Sequence, residues 1–318
     1  MDGLAEPMTA ISPRPAPGPA ADRPAGPGPR SGAAGGGRAP RTLRPLLLVP
    51  TVLLVLAGFV YPVGTIVVRS VTQPEFGPQN FSWLLHDATS LQVLGRTLAV
   101  AALATLITLV LGYPYAYLMT LSGPGLRGLL MLAVLMPFWT SLMVRVFAWV
   151  IILQDHGVLN TVLGALGLGE THLLGTTTGV LIGICQLLMP FMVLPLFNAM
   201  RSIDRRVVQA GMICGAPPWK AFWRVFVPLS LPGVFAGSLM VFILSLGFYV
   251  TPAVLGSPRQ ELLPNALYTQ ISELLNWGRG GALAVALLLT AGVLLAVTTW
   301  VSKRVTGKAA GVTGGLEL

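Results

Sequence analysis

Apolar side chains run through six long stretches of the 318-residue chain, separated by shorter segments that carry the polar and charged residues. The stretches are Leu46 to Val68, about Thr97 to Leu121, Gly128 to Leu153 (interrupted by Arg145), about Thr177 to Met200, Val225 to Val250 and Gly280 to Ser302. About 20 apolar residues in a helix cross ~30 Å of hydrocarbon, and a helix satisfies its own backbone hydrogen bonds there. The pattern therefore predicts an all-α, polytopic membrane protein with six transmembrane helices and no room for a seventh. Pro114, Pro137, Pro190 and Pro195 fall inside spans, where a missing N–H kinks a helix. Packing accounts for such kinks, and they also suit helices that move around a cavity.

Composition narrows the class further. Apolar residues make up 54% of the chain and charged residues only 10%, against roughly 25% in soluble domains. A mean hydropathy of +0.76 agrees. So little charge cannot cover a water-facing surface, which excludes a soluble enzyme, a DNA-binding domain and a secreted disulfide framework. The net charge of +9 does not point to nucleic acid, because Lys and Arg sit beside the apolar spans instead of forming one basic face. Cys185 and Cys214 lack metal-ligand spacing and fall in different compartments, so no structural disulfide is expected.

Orientation follows from the same charges. With the N-terminus inside, six arginines of the tail, Arg127, the five basic residues between spans four and five, and Lys303, Arg304 and Lys308 are cytoplasmic. Arg69, Arg96, Arg259 and Arg279 lie outside, and fifteen against four predicts both termini inside. The outer loops carry Glu75, Asp87, Asp155, Glu170, Glu261 and Glu273. Residues 1–40 hold nine Pro and eight Gly and cannot bury enough surface to offset their ordering entropy. They are expected to be a disordered, passive tail, with polyproline II docking of a partner as the alternative. They lack the basic-then-apolar layout of a signal peptide.

The segment between spans four and five is unusually long. Ser202 or Asp204 can cap a helix running to Cys214, and Gly215 suits a left-handed C-terminal cap. Pro217 or Pro218 can open a second helix, whose Trp219, Phe222, Trp223 and Phe226 recur at helical spacing. A helix–turn–helix with basic residues beside it is predicted on the cytoplasmic face.

This loop resembles the signature of permease subunits of binding-protein-dependent ABC importers. That signature is Glu-Ala-Ala, three residues, Gly, nine residues, an aliphatic residue, one residue, then Leu-Pro. Gln209-Ala210-Gly211, then Gly215 followed by Ala216, and Val225 with Val227-Pro228 match it in order and spacing. Gln209 replaces the acidic residue and loses the charge-assisted part of a contact with arginine, and Gly211 replaces the second alanine. Pro137 to Trp149, Ile182 to Pro195 and Gly247 to Gly256 are similar to the spermidine/putrescine permeases of that family, and the resemblance covers about 45–302. It implies a type I ABC importer permease fold in a bacterial inner membrane. The implied organisation is a tail over 1–44, a six-span permease domain over 45–304 with its core at about 93–302, a coupling loop at 201–228, and a cytoplasmic tail over 305–318. It also implies a second permease subunit as heterodimer partner, two ATPase subunits that use ATP and Mg, an extracytoplasmic solute-binding protein, and polyamine as cargo. The subunit itself is expected to hold no cofactor, no metal and no catalytic site.

No Asp or Glu falls inside a predicted span, so nothing there compensates a desolvated polycation. Aromatic faces can, by cation–π contact of about 0.5–2 kcal/mol each. Trp139, Phe248, Tyr249 and Tyr113 are candidates for the substrate pathway, with Gln186 as a polar lining group. For any one of these aromatics, lipid packing is the competing assignment. Arg145 either snorkels to the interface or pairs with Asp155 or a partner subunit near the gate. Gly307-Lys308 lacks the rest of a phosphate-binding loop, and His86, His156 and His172 lack metal-ligand spacing. The alternatives are an importer for another amino-compound solute (opine-like or aminophosphonate), an ion-driven secondary transporter, or a membrane scaffold.

Overall fold

A computed structural model describes residues 43–167, 169 and 171–313. The tail expected over 1–44 lies outside these residues except for its last two, as do Glu170 and the end of the C-terminal tail. The chain divides into two units between Leu54 and Val55, and the packing described below is that of the second.

The described residues form helices and no strand. Six candidate crossings are present: α1 (Val49–Thr72), α3 (Ala88–Leu121), a third over Leu142–Ala165 that ends in the short helix α6 (Val158–Ala165), α7 (Thr177–Arg201), α9 (Pro218–Leu246) and α12 (Trp277–Thr313), apolar as far as Val301. A short helix α2 (Gln79–His86) joins α1 to α3, whose first turn is capped by Asp87: its carboxylate accepts from Ser90 N at 2.7 Å. Those Ser90 hydrogen bonds, from hydroxyl and amide, hold the Asp87 carboxyl below the usual carboxylate range.

The core is the packing of α3, α7 and α9. In lipid there is no water to expel from between two helices, so contact has to come from close backbone approach over small residues. Gly233 and Gly237, one turn apart on α9, provide it. A Cβ at Gly233 would lie 2.5 Å from Ala199 Cβ and 2.9 Å from Pro195 O, and one at Gly237 2.9 Å from Met192 Sδ and 3.1 Å from Met192 O. Gly112 of α3 meets Met192 from the other side, at 3.1 Å from its Cγ. Met192 is fully buried, with Ile184, Leu188 and Leu196 around it. At the far end from the 201–228 loop, α12 packs on the last turns of α1: Gly281 lies against Ser70, and Arg69 stacks over Trp277 at 4.6 Å.

Two boundaries differ from expectation. The apolar stretch expected to be one span from Gly128 to Leu153 is two helices, α4 (Pro124–Leu135) and α5 (Leu142–Leu153), and the candidate crossing runs from Leu142 on to Ala165. Between them a 3-10 turn, Met136–Trp139, gives way to extended backbone at Thr140 and Ser141. Pro137 cannot donate to the helix ladder, and the Thr140 hydroxyl donates to Pro137 O at 2.8 Å instead. The fifth crossing starts at Pro218 and stops at Leu246, where Gly247 caps it, so Phe248 and Tyr249 lie beyond its end. Short pieces follow: α10 (Val250–Leu255), a 3-10 turn at Pro258–Gln260, α11 (Leu263–Tyr268) and a π turn at Thr269–Glu273.

The glycine contacts give the first prediction. Gly237→Leu forces side-chain bulk into the Met192 backbone and costs about 1–3 kcal/mol by overpacking. Gly292→Leu on α12, where a Cβ meets nothing within 4 Å, costs little. Thermal unfolding of the two purified variants in detergent should separate them clearly.

Candidate functional site: a helix–turn–helix on one rim of the bundle

The 201–228 loop is built from local signals. The Ser202 hydroxyl donates to Ala199 O at 2.7 Å and closes α7, leaving Asp204 as the cap of the next helix, α8 (Arg205–Ile213). Asp204 Oδ1 accepts from Arg206 N at 2.9 Å. Gly215 then adopts φ +89°, a left-handed conformation in which an L side chain is strained, and Pro218 takes the first turn of α9. The predicted helix–turn–helix is present. Its second helix does not end at the membrane, however. It continues through a π turn at Phe222–Phe226 into the fifth crossing, so loop and span are one rod.

The aromatic stripe divides by face. Phe222 and Phe226 turn inward onto α3, with Tyr117 5.2 Å and 5.1 Å away edge-on, and Tyr113 6.4 Å from Phe222. The Tyr113 hydroxyl also hydrogen-bonds the Ser230 hydroxyl at 2.9 Å. Trp219 and Trp223 stay about two-thirds exposed, as does most of Ile213 at the end of α8. Two arginines cap the end of α3, Arg205 from the loop and Arg127 from the first turn of α4. Arg205 Nη2 donates to Thr120 O at 2.6 Å, and Arg127 donates to Met119 O at 3.1 Å and Ser122 O at 2.7 Å. Cations there complement the negative end of the helix dipole. Neither tie was anticipated from the sequence, although a basic residue after an uncapped helix end is the signal for one.

The signature residues lie together. Gln209 and Ala210 are exposed on α8, while Gly211 packs within 3.5 Å of Val225 and 4.0 Å of Ala221 across the turn, measured from the place of a Cβ. Ala216 is half-buried behind Gly215, and Pro228 is exposed on α9. Gln209 lines a cavity of about 380 Å³ with Arg127, Arg201 and Arg205. Where the signature has a carboxylate, three guanidinium groups stand nearby.

The pathway candidates do not converge. Gln186 accepts from Trp149 Nε1 at 3.5 Å and lines an apolar cavity of about 530 Å³ between α3, α4 and α7. Trp139 ends the 3-10 turn and is 77% exposed. Phe248 packs against the main core, and Tyr113 belongs to the loop rim. Arg145 is half-buried with its Nε unpaired among the described residues, and Asp155 contacts His172 at 2.7 Å instead. Tyr249 stands at the opposite rim, its ring centroid 5.2 Å from that of Tyr268 and the two planes inclined by 40°.

Six apolar crossings bearing a docked helix–turn–helix define an integral-membrane transport permease. Residues 112–307 match the family described as "Binding-protein-dependent transport system inner membrane component", and the chain belongs to it. It is therefore a multi-pass inner membrane protein. It is 34% identical over 208 residues to the spermidine/putrescine transport system permease protein PotB of Haemophilus influenzae, covering 65% of this chain and 73% of that one. Against PotB of Escherichia coli the identity is 32% over 241 residues, 75% of this chain and 87% of the relative. A more distant relative is the inner membrane ABC transporter permease protein YdcU of Escherichia coli, 29% identical over 71% of this chain and 76% of its own length. Among solved structures, a chain of a bacterial alginate ABC transporter in complex with alginate pentasaccharide-bound periplasmic protein superposes with TM-score 0.72 at 18% identity. That match covers 83% of this chain and 95% of the other, and shows the shared fold.

The position of Gly211 gives a second prediction. An alanine there would make ordinary van der Waals contact with Val225 and remove the entropic cost of a mid-helix glycine. Gly211→Ala should stabilise the loop by about 0.5–1 kcal/mol. Slower amide hydrogen exchange over α8, with transport activity retained, is the expected readout.

Proposed function

We propose that this chain is a permease subunit of an ATP-driven importer that carries polyamines of the spermidine and putrescine class across the inner membrane. The observation that carries the reading is the 32% identity to a spermidine/putrescine permease across 87% of that relative's length. In the proposed assembly it pairs with a second permease subunit. Two ATPase subunits bind on the loop rim and a solute-binding protein on the opposite one. ATP and Mg are consumed in the ATPases. The positive-inside bias of the basic residues supports an orientation with both termini, and hence the loop rim, in the cytoplasm.

The geometry supports a lever mechanism. Exposed Ile213, Trp219 and Trp223 offer an apolar surface that an ATPase groove can bury, with Gln209 and Ala210 beside it. Because Pro218–Leu246 is one helix, a displacement of the loop is delivered directly to the fifth crossing, and through Gly233 and Gly237 to α7. Arg205 carries the same motion to the end of α3. Alternating access by rigid-body rocking needs such stiff connections. An acidic residue within the membrane, expected of an ion-driven carrier, is missing from the six spans predicted from this sequence.

Uptake of labelled spermidine and putrescine, in cells lacking other polyamine importers, is the test. Uptake should require this chain and its ATPase, and equal uptake without the chain would overturn the cargo assignment. Gly215→Val tests the coupling. A β-branched residue at φ +89° is strained by about 1–2 kcal/mol, enough to reduce the docked loop population about tenfold. Membrane insertion should be normal and uptake severely reduced; normal uptake would count against docking through this turn.

A further inference from the structure

At the rim opposite the loop, the chain after Leu246 folds back on itself and encloses a cavity of about 310 Å³ between α10, α11 and the π turn. Tyr249 and Tyr268 contribute aromatic faces, their centroids 5.2 Å apart and their planes inclined by 40°. Glu261 and Glu273 contribute carboxylates, and no basic side chain lines the cavity. Neither carboxylate has an ion-pair partner within 4.0 Å among the described residues, where the single such contact is His172 to Asp155. The nearest candidate, Arg96, spends its guanidinium on the main-chain carbonyls of Arg259 at 2.6 Å and Glu261 at 3.4 Å. Asn265 also lines the cavity, and its Oδ1 is buried without a hydrogen-bond partner among the described residues.

Two uncompensated carboxylates and two aromatic faces make an acceptor-rich site that lacks a positive charge. Paired tyrosine faces attract ammonium groups, carboxylates accept their N–H donors, and the apolar wall of Pro252 and Ala253 suits the methylenes between two ammonium centres. A divalent metal is a poorer fit. It would want several oxygen ligands around one point, and the described residues contain no group of three or more acidic, His or Cys side chains placed to hold one.

We propose that this cavity, formed by Tyr249, Tyr268, Glu261, Glu273 and Asn265, is a polyammonium-binding subsite at the outer mouth of the permease. It would receive cargo before the cargo reaches the membrane interior. The proposal rests on the polyamine reading above and gives it a location. It also supplies what the six spans predicted from the sequence lack, since no carboxylate lies within them. The state of Glu261 fits this role. Burial pushes its carboxyl up from the ordinary range and the charge of Glu273 adds to that, against the Thr269 hydrogen bond and the weaker pull of Arg96. A bound cation would relieve both upward pressures.

The test is binding of labelled spermidine to the purified complex of both permeases and ATPases, without the binding protein, alongside uptake by the same complex in proteoliposomes with it. Glu261→Gln with Glu273→Gln removes both charges at nearly constant shape and should weaken binding by about tenfold or more. Tyr268→Leu should weaken it roughly threefold. Putrescine should compete more weakly than spermidine, having fewer charges. Unchanged ATPase activity and assembly of the variants would exclude misfolding, and a Glu261→Asp, Glu273→Asp chain should recover part of the affinity. If the complex transports spermidine but the charge-neutral variant binds it as well as the original, or neither binds it, the subsite is overturned and the polyamine reading stands. Competition by magnesium alone and not by putrescine would identify a metal site and overturn the subsite equally. A complex that transports no polyamine overturns the reading and the subsite with it.

Discussion

The central bundle depends on the close approach of two backbones, that of α9 at Gly233 and Gly237 and that of α7 from Met192 to Ala199. Everything else is arranged around that seam. Dispersion forces fall off steeply with separation, so in a solvent as apolar as the helices themselves only near-contact distinguishes association from dilution in lipid. The third member of the core, α3, joins through Gly112 against the opposite side of Met192. A flexible, polarizable side chain at the shared centre suits this use, because Met fills an irregular gap between three helices without demanding one rotamer.

The seam gives the loop rim its mechanical meaning. A loop attached to a span by a flexible linker would absorb a push. Here Pro218 to Leu246 is continuous, with a π turn where the aromatic contacts to Tyr113 and Tyr117 are made. The extra residue of that turn rotates Phe222 and Phe226 onto α3 while leaving Trp219 and Trp223 outward. One face of the same short stretch therefore grips the bundle and the other is free for a partner.

Much of this was legible in the sequence, for identifiable reasons. Crossings announce themselves because charge is excluded from hydrocarbon, and the loop helix because Asp204, Gly215 and Pro218 each act on the backbone within their own turn. The break in the third apolar stretch was not legible. Thr140 and Ser141 are too few to interrupt an apolar run, and Pro137 read as a kink where it ends the regular ladder. Pathway residues were the hardest to choose. A soluble helix shows its inner face by the polarity of its outer one, but here both faces are apolar, so Trp139, Phe248 and Gln186 looked equivalent and proved to have unrelated surroundings. The Gly-x-x-x-Gly spacing at 233–237 was on view and went unread, as did Tyr268, which has meaning only beside Tyr249.

The break in the third apolar stretch also bears on how this chain can exist in a bilayer. Between Met136 and Ser141, inside the apolar run from Gly128 to Leu153, peptide groups leave the helical ladder, and Phe138 to Ser141 are exposed in the isolated chain. Peptide N–H and C=O groups without partners cost several kcal/mol each in hydrocarbon, and non-helical backbone survives at that depth only against protein or water. This stretch therefore cannot be solvated by acyl chains. Lipid alone is an incomplete solvent for the subunit, and the missing share has to be supplied by a neighbouring chain or by a hydrated passage.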